Sequence, residues 1–341
     1  MLVIQDVKKW FQKTKRPLPW RDNPTPYAVW ISEIMLQQTR ASVVIAYFMN
    51  WMKLFPNIEA LANASLLEVL KAWEGLGYYS RARNIHEAAK KFKDRGIPSS
   101  LEELLQVKGI GSYTAGAILS FAYHQKAHAV DANVARVVAR FFAIEGDLSS
   151  SANKALLQEK TLLLLPNEEP WIVMEALIEL GATVCQKTPF CSKCPLISEC
   201  QSFIYDKTEE IPYKKVRKQT IYLHKQVAIV FHEKEILLEI KQEKLFAHLA
   251  QFPAFSYSVE KDLEMQIREF LGLEVFWKED LSKEKQSYTT YQEELFPSCF
   301  EVVAKKEIPG FSWHPIEDLT KLPFTSGHKR ILRQLHDRLK D

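Results

Sequence analysis

The sequence predicts a mostly α-helical N-terminal module followed by a smaller α+β domain. Three observations support this division. The first two hundred or so residues repeat apolar side chains at helical spacing, with two Gly-x-Gly turns between helices. Four cysteines lie close together at the end of that region. Beyond them the hydrophobic pattern changes to the alternation that is typical of β-strands.

Composition bounds the class of protein without identifying its function. The chain has 341 residues, 47% of them hydrophobic, and a formal net charge of +3, so total charge does not mark a nucleic-acid binder. No apolar run is long enough to cross a membrane, and the start of the chain resembles an amphipathic helix rather than a signal peptide. We therefore expect a cytoplasmic, intracellular protein with no membrane partner, whose cysteines bind metal rather than form disulfides.

The first prominent helix is predicted from Tyr27 to about Leu54, after a proline-rich loop in which Thr25 can cap it. Glu33 is the one charged residue in the first half of this helix, and apolar residues surround it. Burial of an unpaired carboxylate raises its pKa and favours the proton-donating form. The alternative is a structural Glu that pairs with an Arg inside the helical bundle.

Two helical hairpins follow, each built around a Gly-x-Gly turn. In the first, Gly75-Leu76-Gly77 precedes Tyr78 and a group of aromatic and basic residues that suit bases and phosphates. In the second, Gly109-Ile110-Gly111 precedes a helix that Ser112 can cap, and Asp131 can cap the next helix. Both hairpins also fit ordinary helix packing, with Asp131 serving as a cap alone.

The strongest local signal is Cys185-x5-Cys191-x2-Cys194-x5-Cys200, four cysteines within 16 residues. Thiolates at this spacing are typical ligands of a metal ion or an iron–sulfur cluster. Spacing alone leaves zinc and iron–sulfur open. The remaining cysteine, Cys299, is expected to be a small core residue.

A charged segment at residues 206–222 is predicted to be a linker, and residues 223–341 are predicted to form the α+β domain. Alternating apolar residues between about 227 and 240 predict a β-hairpin at its start. The other predicted elements are a helix near Lys261–Leu271, a strand near Phe300–Ala304 and a final helix near Ser326–Leu339.

These motifs together resemble those of the helix-hairpin-helix DNA glycosylases that carry an iron–sulfur cluster, and in particular the adenine-DNA glycosylases of the MutY type. The segments that carry the resemblance are LPWRDNPTPYAVWISEIMLQQTR, EGLGYYSRAR, GIGSYTAGAI, VDANVARV and ALIELGATVC. The resemblance covers roughly residues 7–205. It continues more weakly into the C-terminal domain through LFAHLAQFP and LPFTSGHKRIL.

The resemblance implies a fold and its boundaries. A helical DNA glycosylase module is expected at 1–205, followed by a linker at 206–222 and a Nudix-like recognition domain at 223–341. Within the module, a six-helix domain with the helix-hairpin-helix is expected at about 26–135, and an iron–sulfur cluster domain at 1–25 plus 136–205. The glutamate cluster that holds magnesium in Nudix hydrolases is reduced here to Arg268-Glu269-Phe270-Leu271-Gly272. We therefore expect recognition without hydrolase activity from this domain.

The resemblance also implies site residues. The catalytic residues are Glu33, Asp131, Tyr113 and Asn133; the substrate- and DNA-binding residues are Arg21, Gln38, Tyr78, Gly109, Gly111 and Glu175; and the ligands of a 4Fe-4S cluster are Cys185, Cys191, Cys194 and Cys200. Among them, Glu33 matches the catalytic acid and Asp131 the carboxylate that stabilises the sugar cation. Gln38 and Tyr78 match residues that wedge into the duplex beside 8-oxoguanine.

The chemistry of N-glycosidic cleavage agrees with these roles. It needs a neutral acid for the leaving base and an ionised carboxylate for the cationic sugar. We expect a raised pKa for Glu33 in its apolar helix and a lowered pKa for Asp131 at a helix start. Tyr113 stands where the related strand-cutting branch has a lysine, and a phenol forms no Schiff base. The chain is therefore expected to be monofunctional.

Among the departures from the family pattern, two bear on the cofactor and on the substrate. The first cysteine gap has five residues, Gln186 to Phe190, where the family usually has six. The family's Phe-Ser-His loop, which contacts 8-oxoguanine, has no clear counterpart, and the segment near its expected place is Ser287-Tyr288-Thr289-Thr290-Tyr291. The sequence therefore supports adenine excision more strongly than recognition of 8-oxoguanine.

The predicted function is removal of adenine opposite 8-oxoguanine or G, by a nucleoid-associated monomer that binds double-stranded DNA and flips the base out. Three alternatives stay open: a bifunctional glycosylase/lyase for damaged pyrimidines, a non-catalytic DNA-binding scaffold, and a zinc-containing structural protein. Tyr113 argues against the lyase, and the pair of Glu33 and Asp131 argues against the scaffold. Visible absorbance would separate an iron–sulfur cluster from zinc.

Overall fold

The computed structural model describes residues 2–213, 219–241, 246–258 and 262–338. Residues 214–218 of the predicted linker lie outside this description, as do Lys261 and Leu339 at the ends of two predicted helices. Among the residues that are described, none of the helices combines the length and apolar composition that spanning a membrane requires.

The chain divides into two compact units. The first contains Met1–Asn63 and Asn84–Val216, and the second contains Ala64–Arg83 and Arg217–Asp341. Ala64–Arg83, which the sequence places in the helical module, is therefore part of the second unit. The finer boundaries of a six-helix domain and a cluster domain stay predictions.

Helices account for the N-terminal part of the chain, as the apolar periodicity predicts. In chain order they are α1 (Leu2–Thr14), α2 (Pro26–Leu36), α3 (Ala41–Leu54), α4 (Ile58–Asn63), α5 (Leu66–Ala72), α6 (Ser80–Phe92), α7 (Leu101–Leu105), α8 (Ser112–Ala117), α9 (Ala132–Phe141), α10 (Ser151–Leu164), α11 (Pro170–Thr183) and α12 (Gln201–Ile204). One π-helical turn, Ile118–Ala122, continues α8.

Capping residues set several of the helix starts. Thr25 caps α2 and Asp131 caps α9, each by accepting a backbone N–H with its side-chain oxygen, as predicted. The predicted cap at Ser112 is wrong. Gly111 is the N-cap of α8, and Ser112 is already the first helical residue, so its side chain makes no cap.

The single helix predicted from Tyr27 to about Leu54 is also wrong. The structure has two helices there, α2 and α3, with a break over residues 37–40. Gln38 has a φ of +57°, in the left-handed region that an α-helix cannot accommodate. Neither Gly nor Pro occurs in this break, so the local sequence carries no signal for it.

The turn before α8 requires one of its two glycines. Gly109 has a φ of +94°, and a Cβ atom there would lie 2.8 Å from Cβ of Asn84. Gly111 has a φ of −94° and open space around its Cα. Conformation therefore explains the glycine at 109, whereas nothing in the fold demands one at 111.

The packing of α9 against α11 brings the site residues of the first unit together. Helix α11 also packs on α1, and α2 packs on α3 and α8. Gly181 permits the close approach of α11 to α9, because a Cβ there would lie 2.6 Å from Cβ of Asn133. Asn133 is thereby held at the contact between the two helices.

The second unit contains a mixed β-sheet. Its strands are β1 (Ile221–His232), β2 (Glu235–Ile240), β3 (Ala250–Gln251), β4 (Ala254–Ser256), β5 (Val275–Asp280), β6 (Glu284–Tyr288), β7 (Tyr291–Val302) and β8 (Phe311–Pro315). The strand order is β3-β2-β1-β7-β5, with β4 on β1, β6 on β7 and β8 on β2. The central pair, β1 and β7, is parallel, with Ile221 opposite Tyr291 and Phe231 opposite Glu301.

A helix covers each face of this sheet. Helix α13 (Leu263–Leu271) packs Ile267 against Val230 on one face, and α14 (Ser326–Arg338) packs Ile331 and Leu335 on the other. The predicted hairpin is confirmed as β1 and β2, although residues 227–230 are all buried because both faces are covered. This arrangement is the α+β architecture that the sequence predicts for residues 223–341.

Candidate active site and cysteine cluster

A cavity of about 410 Å³ opens in the first unit. Side chains from α2, α8, α9, α11 and the loop before α2 form its walls. The predicted site residues that line it are Arg21, Glu33, Gln38, Tyr113, Asp131, Asn133 and Glu175. Residues far apart in the sequence therefore converge on one cavity.

Glu33 lies in this cavity with only 5% of its surface exposed. Its carboxyl accepts a hydrogen bond from the Tyr113 hydroxyl at 2.5 Å. Burial raises the pKa of Glu33 to about 7; the Tyr113 hydrogen bond opposes this rise, and the nearby charge of Asp131 adds to it. The raised pKa predicted from the sequence is confirmed, and Glu33 can carry a proton near neutral pH.

Tyr113 is a neutral hydrogen-bond donor in this site. Burial raises the pKa of its phenol well above the ordinary value, and the negative charges of Glu33 and Asp131 raise it further. The hydroxyl therefore keeps its proton and directs it at Glu33.

Asp131 differs from its prediction. Burial raises the pKa of its carboxyl, although the Val134 N–H and the Asn133 side-chain amide each donate to it at 2.8 Å and lower the pKa. The lowered pKa expected from a helix start is therefore wrong, because desolvation outweighs the helix terminus. Asp131 accepts two N–H bonds, and these favour its ionised form over that of Glu33.

A line of hydrogen bonds leads from Asp131 toward the cysteines. Asn133 donates to Asp131 and accepts from Nη2 of Arg136 at 2.9 Å. Arg136 also donates through Nε to the Cys185 carbonyl at 2.7 Å and through Nη2 to the Gly181 carbonyl at 2.7 Å. Sequence reasoning missed Arg136; its position one helical turn after Asn133 on α9 was the available signal.

Arg16, Arg21 and Glu175 line the cavity wall between α11 and the loop before α2, and buried Glu179 pairs with both arginines without lining the cavity. Nε of Arg21 lies 3.2 Å from Glu175, and its Nη2 lies 2.9 Å from Glu179. Arg16 also bonds to Glu179, at 2.6 Å. Glu179 is fully buried, and although burial opposes ionisation, Arg16 and Arg21 lower its pKa overall. Glu179 stands within the segment ALIELGATVC and Arg16 two residues before LPWRDN, but neither was assigned a role from the sequence.

The remaining predicted DNA-binding residues lie on turns. Gln38 occupies the break between α2 and α3 in the first unit, and Gly109 and Gly111 form the turn before α8. Tyr78 lies in the second unit, in the turn before α6, with a φ of +47° and 48% of its surface exposed.

Tyr78 lines a cavity of about 400 Å³ in the second unit. One wall is the turn Gly75–Tyr79, and the others include Phe246, Thr325, Ser326 and residues 286–289, which end β6 and begin the turn to β7. Tyr288 packs on Phe246 with ring centres 5.0 Å apart and donates to buried Glu293 at 2.6 Å. Gln286 donates to the same carboxylate at 2.6 Å. The cavity is thus lined by rings and hydroxyl groups.

Cys185, Cys191, Cys194 and Cys200 line one small cavity between α9, the end of α11 and the turns that follow. Buried Arg140 lies beside them, with Nη1 3.4 Å from Cys185 Sγ. Its guanidinium also donates to the carbonyls of Gln186, Lys187 and Ile211, and no carboxylate pairs with it among the described residues. Over the same described ranges, no three Cys, His, Asp or Glu side chains converge closely enough to hold a single metal ion.

Comparison with known proteins gives consistent results. The model of the HhH-GPD superfamily base excision DNA repair proteins matches residues 31–161. Adenine DNA glycosylase of Buchnera aphidicola subsp. Baizongia pistaciae is 37% identical over 262 residues, which is 75% of this chain and 74% of the relative. Adenine DNA glycosylase of Homo sapiens is 43% identical over 206 residues, 57% of this chain and 38% of the relative.

Two solved structures resemble the fold. A thermostable thymine-DNA glycosylase is 25% identical with a TM-score of 0.54, covering 59% of this chain and 95% of its own. The enzyme in a non-covalent Endonuclease III–DNA complex is 23% identical with a TM-score of 0.50, covering 60% of this chain and 94% of its own.

Proposed function

We propose that this chain, which belongs to the adenine DNA glycosylase family, removes adenine from mispaired double-stranded DNA by hydrolysing the N-glycosidic bond. The observation that carries the proposal is the buried Glu33, with a pKa raised to about 7, beside Asp131 and Tyr113 in one cavity. A base inside a duplex has to be flipped into such a cavity before its chemistry can begin.

Glu33 acts as the acid of the reaction. Its proton passes to a ring nitrogen of adenine, so that the bond between C1′ and N9 breaks and the electron pair leaves with the base. Tyr113 orients the Glu33 carboxyl through its hydrogen bond. Asp131, ionised and held by Val134 and Asn133, stabilises the positive charge that develops on the sugar. Water then bonds to C1′ and gives up a proton to a carboxylate of the site.

The wall of arginines and glutamates suits the adenine itself. Glu175 presents an acceptor for the exocyclic amine, and Arg21 holds Glu175 in place. Glu179 in turn holds Arg21 and Arg16, which keeps both cations oriented in a buried setting. The base is therefore positioned by charge-assisted contacts that are already formed before it arrives.

The reaction ends at the abasic site. Strand cutting by this class of chemistry needs an amine that forms a Schiff base with the sugar. Tyr113 has none. Lys108 is exposed, pairs with Glu87 at 3.5 Å and is absent from the lining of the cavity. These observations support a monofunctional glycosylase.

The base opposite adenine is proposed to be 8-oxoguanine or G, and to contact the cavity of the second unit. 8-Oxoguanine differs from G by an oxygen acceptor at C8 and a donor at N7. The hydroxyls of Ser287 and Thr289 line this cavity, and a hydroxyl can both donate and accept. Tyr78 and Phe246 offer rings against which a base can stack. Gln38 and Tyr78 are the proposed wedge residues.

We infer that the four cysteines hold a 4Fe-4S cluster. They line one cavity, and four thiolates from one stretch of chain are the usual ligands of such a cluster. Buried Arg140 would offset the negative charge of a thiolate-bound cluster. When bound, such a cluster would hold residues 185–200 in shape, including the exposed Lys187 and Lys193.

The direct test incubates the purified protein with duplexes that hold A opposite 8-oxoguanine, A opposite G, or thymine glycol, with and without alkali. We expect adenine release from the first two, strand breaks only after alkali, and no action on thymine glycol. Release of the damaged pyrimidine, or cutting without alkali, would instead favour the bifunctional alternative.

A further inference from the structure

A buried carboxylate lies next to the Gly75–Tyr79 turn in the second unit. Glu74 is 6% exposed and directly follows α5 and Trp73. Its Oε1 accepts the Phe324 N–H at 2.9 Å, and its Oε2 lies 2.5 Å from Nζ of Lys329 and 3.0 Å from Nζ of Lys71. We name this arrangement the Glu74 cluster: Glu74, Lys71, Lys329 and the Phe324 N–H.

Further bonds join the same two stretches of chain. The Tyr79 hydroxyl donates to the Phe324 carbonyl at 3.2 Å, and Lys71 donates to the Leu322 carbonyl at 2.8 Å. Trp73 and Phe324 are fully buried. Some 250 residues separate these partners along the chain, so the contacts attach residues 71–79 to residues 322–329 rather than stabilise a local turn.

The Glu74 cluster adjoins the cavity that Tyr78 lines. Gly75–Tyr79 forms one wall of that cavity, and Thr325 and Ser326 belong to another. The guanidinium of Arg81 lies 5.1 Å from the Trp73 ring and 5.5 Å from the Tyr78 ring. A shift of the Trp73–Glu74 segment would therefore reach Tyr78 directly.

Apolar packing alone would hold these two segments less specifically. Contacts between buried rings tolerate sliding, whereas a carboxylate with one N–H and two ammonium donors has a narrow geometry. Desolvation cancels much of the attraction within a buried ion pair, so we attribute to the Glu74 cluster a role in specificity rather than in net stability. The Glu74 cluster therefore fixes the register between the two cavity walls.

We propose that Glu74 is a positioning residue for recognition of the base opposite adenine. By fixing the Gly75–Tyr79 turn against residues 324–329, it sets the width of the second-unit cavity and the position of Tyr78. This inference rests on the proposed preference for 8-oxoguanine. Glu74 touches no substrate, and its effect is on which duplex is processed rather than on the bond that is broken.

The test compares Glu74→Gln and Lys329→Met in the full-length protein with a matched control. The control pair is Asp318→Asn and Lys321→Met, which remove an exposed ion pair of 2.6 Å in the same unit. Single-turnover rates are measured on A opposite 8-oxoguanine and A opposite G. We expect the ratio of the two rates to fall about fivefold to tenfold in both Glu74-cluster variants, with little change on A opposite G and none in the controls.

Two further measurements keep the result interpretable. Lys329→Arg retains the cation and should therefore retain the wild-type ratio of the rates on the two duplexes. Because Lys329 is partly exposed, its variants can fold even if Glu74→Gln does not. Hydrogen exchange at residues 75–79 should accelerate in Lys329→Met. An unchanged ratio in both cluster variants, or equal loss on both duplexes with a lower melting temperature, would overturn the positioning role. A wild-type protein that processes A opposite 8-oxoguanine and A opposite G at equal rates would instead overturn the proposed preference for 8-oxoguanine.

Discussion

At the scale of single residues, the site depends on two carboxyl groups in different surroundings. Glu33 has one donor, Tyr113, and almost complete burial, whereas Asp131 has two N–H donors. Each negative charge opposes the other, so the pair favours one proton over none or two. In the proposed mechanism, adenine release requires this single proton on Glu33.

The pH dependence of the reaction follows from this pair. Adenine release measured by single-turnover kinetics should decline as pH rises through about 7, because Glu33 then loses its proton. It should also decline at acid pH as Asp131 becomes protonated, at a pH above that of an ordinary Asp since burial raises its pKa. A rate that stays constant from pH 6 to pH 9 would contradict the acid role of Glu33.

The raised pKa of Glu33 also sets the direction in which the stability of the folded protein changes with pH. The pKa of Glu33 is raised from 4.5 to about 7 by burial, so the folded protein binds this proton more tightly than the unfolded chain. The stabilisation that this proton on Glu33 gives to the fold is therefore complete below pH 4.5 and is lost as pH rises toward 7. The melting temperature of Glu33→Gln, relative to wild type, should increase over that range.

Strand cutting also depends on one residue. Tyr113→Lys should make the protein trappable by borohydride on an abasic product, because a lysine amine can form the Schiff base that a phenol cannot. Wild type should not be trapped efficiently. Trapping of wild type that disappears in Lys108→Ala would mean that Lys108 supplies the amine and that the monofunctional proposal is wrong.

At the scale of elements, apolar periodicity and capping residues predicted most helices, whereas the break between α2 and α3 and the burial of β1 depend on tertiary contacts. Asp131 was identified as the cap of α9 because the residue type and the start of an apolar pattern coincide. The break at Gln38 could not be predicted, since residues 37–40 are ordinary helix formers held in a turn by their surroundings. Burial of residues 227–230 on both sheet faces likewise depends on α13 and α14, which the strand itself does not encode.

The segment that holds the cysteines should depend on its bound group. Cys191→Ser should lose visible absorbance and bind duplex DNA more weakly, because the proposed cluster would hold residues 185–200 in shape only with all four ligands present. Iron and zinc content and DNA affinity are the measurements, with Cys299→Ser as the matched control, since Cys299 is buried in the second unit. Purified wild type that carries zinc and no iron would defeat this prediction.

At the scale of the whole molecule, the motifs assigned roles to the proposed catalytic residues and none to several charged residues whose partners are distant in sequence. Glu33, Tyr113 and Asp131 stand in recognisable motifs, and the structure brings them to one cavity. Arg136, Glu74 and Glu179 stand within the quoted segments and Arg16 just before one, but their partners are distant in sequence, so their roles appear only in the structure. Assignment of Ala64–Arg83 to the second unit has the same cause, because its contacts are with residues near 324.

The central claim, that Glu33 is the acid that releases adenine, is tested most directly by Glu33→Gln on a duplex with A opposite 8-oxoguanine. Gln keeps the shape and the bond from Tyr113 but cannot donate a carboxyl proton. We predict unchanged duplex affinity with adenine release slowed by at least about a hundredfold. Adenine release near the wild-type rate, in a variant that binds DNA normally, would contradict the proposed mechanism.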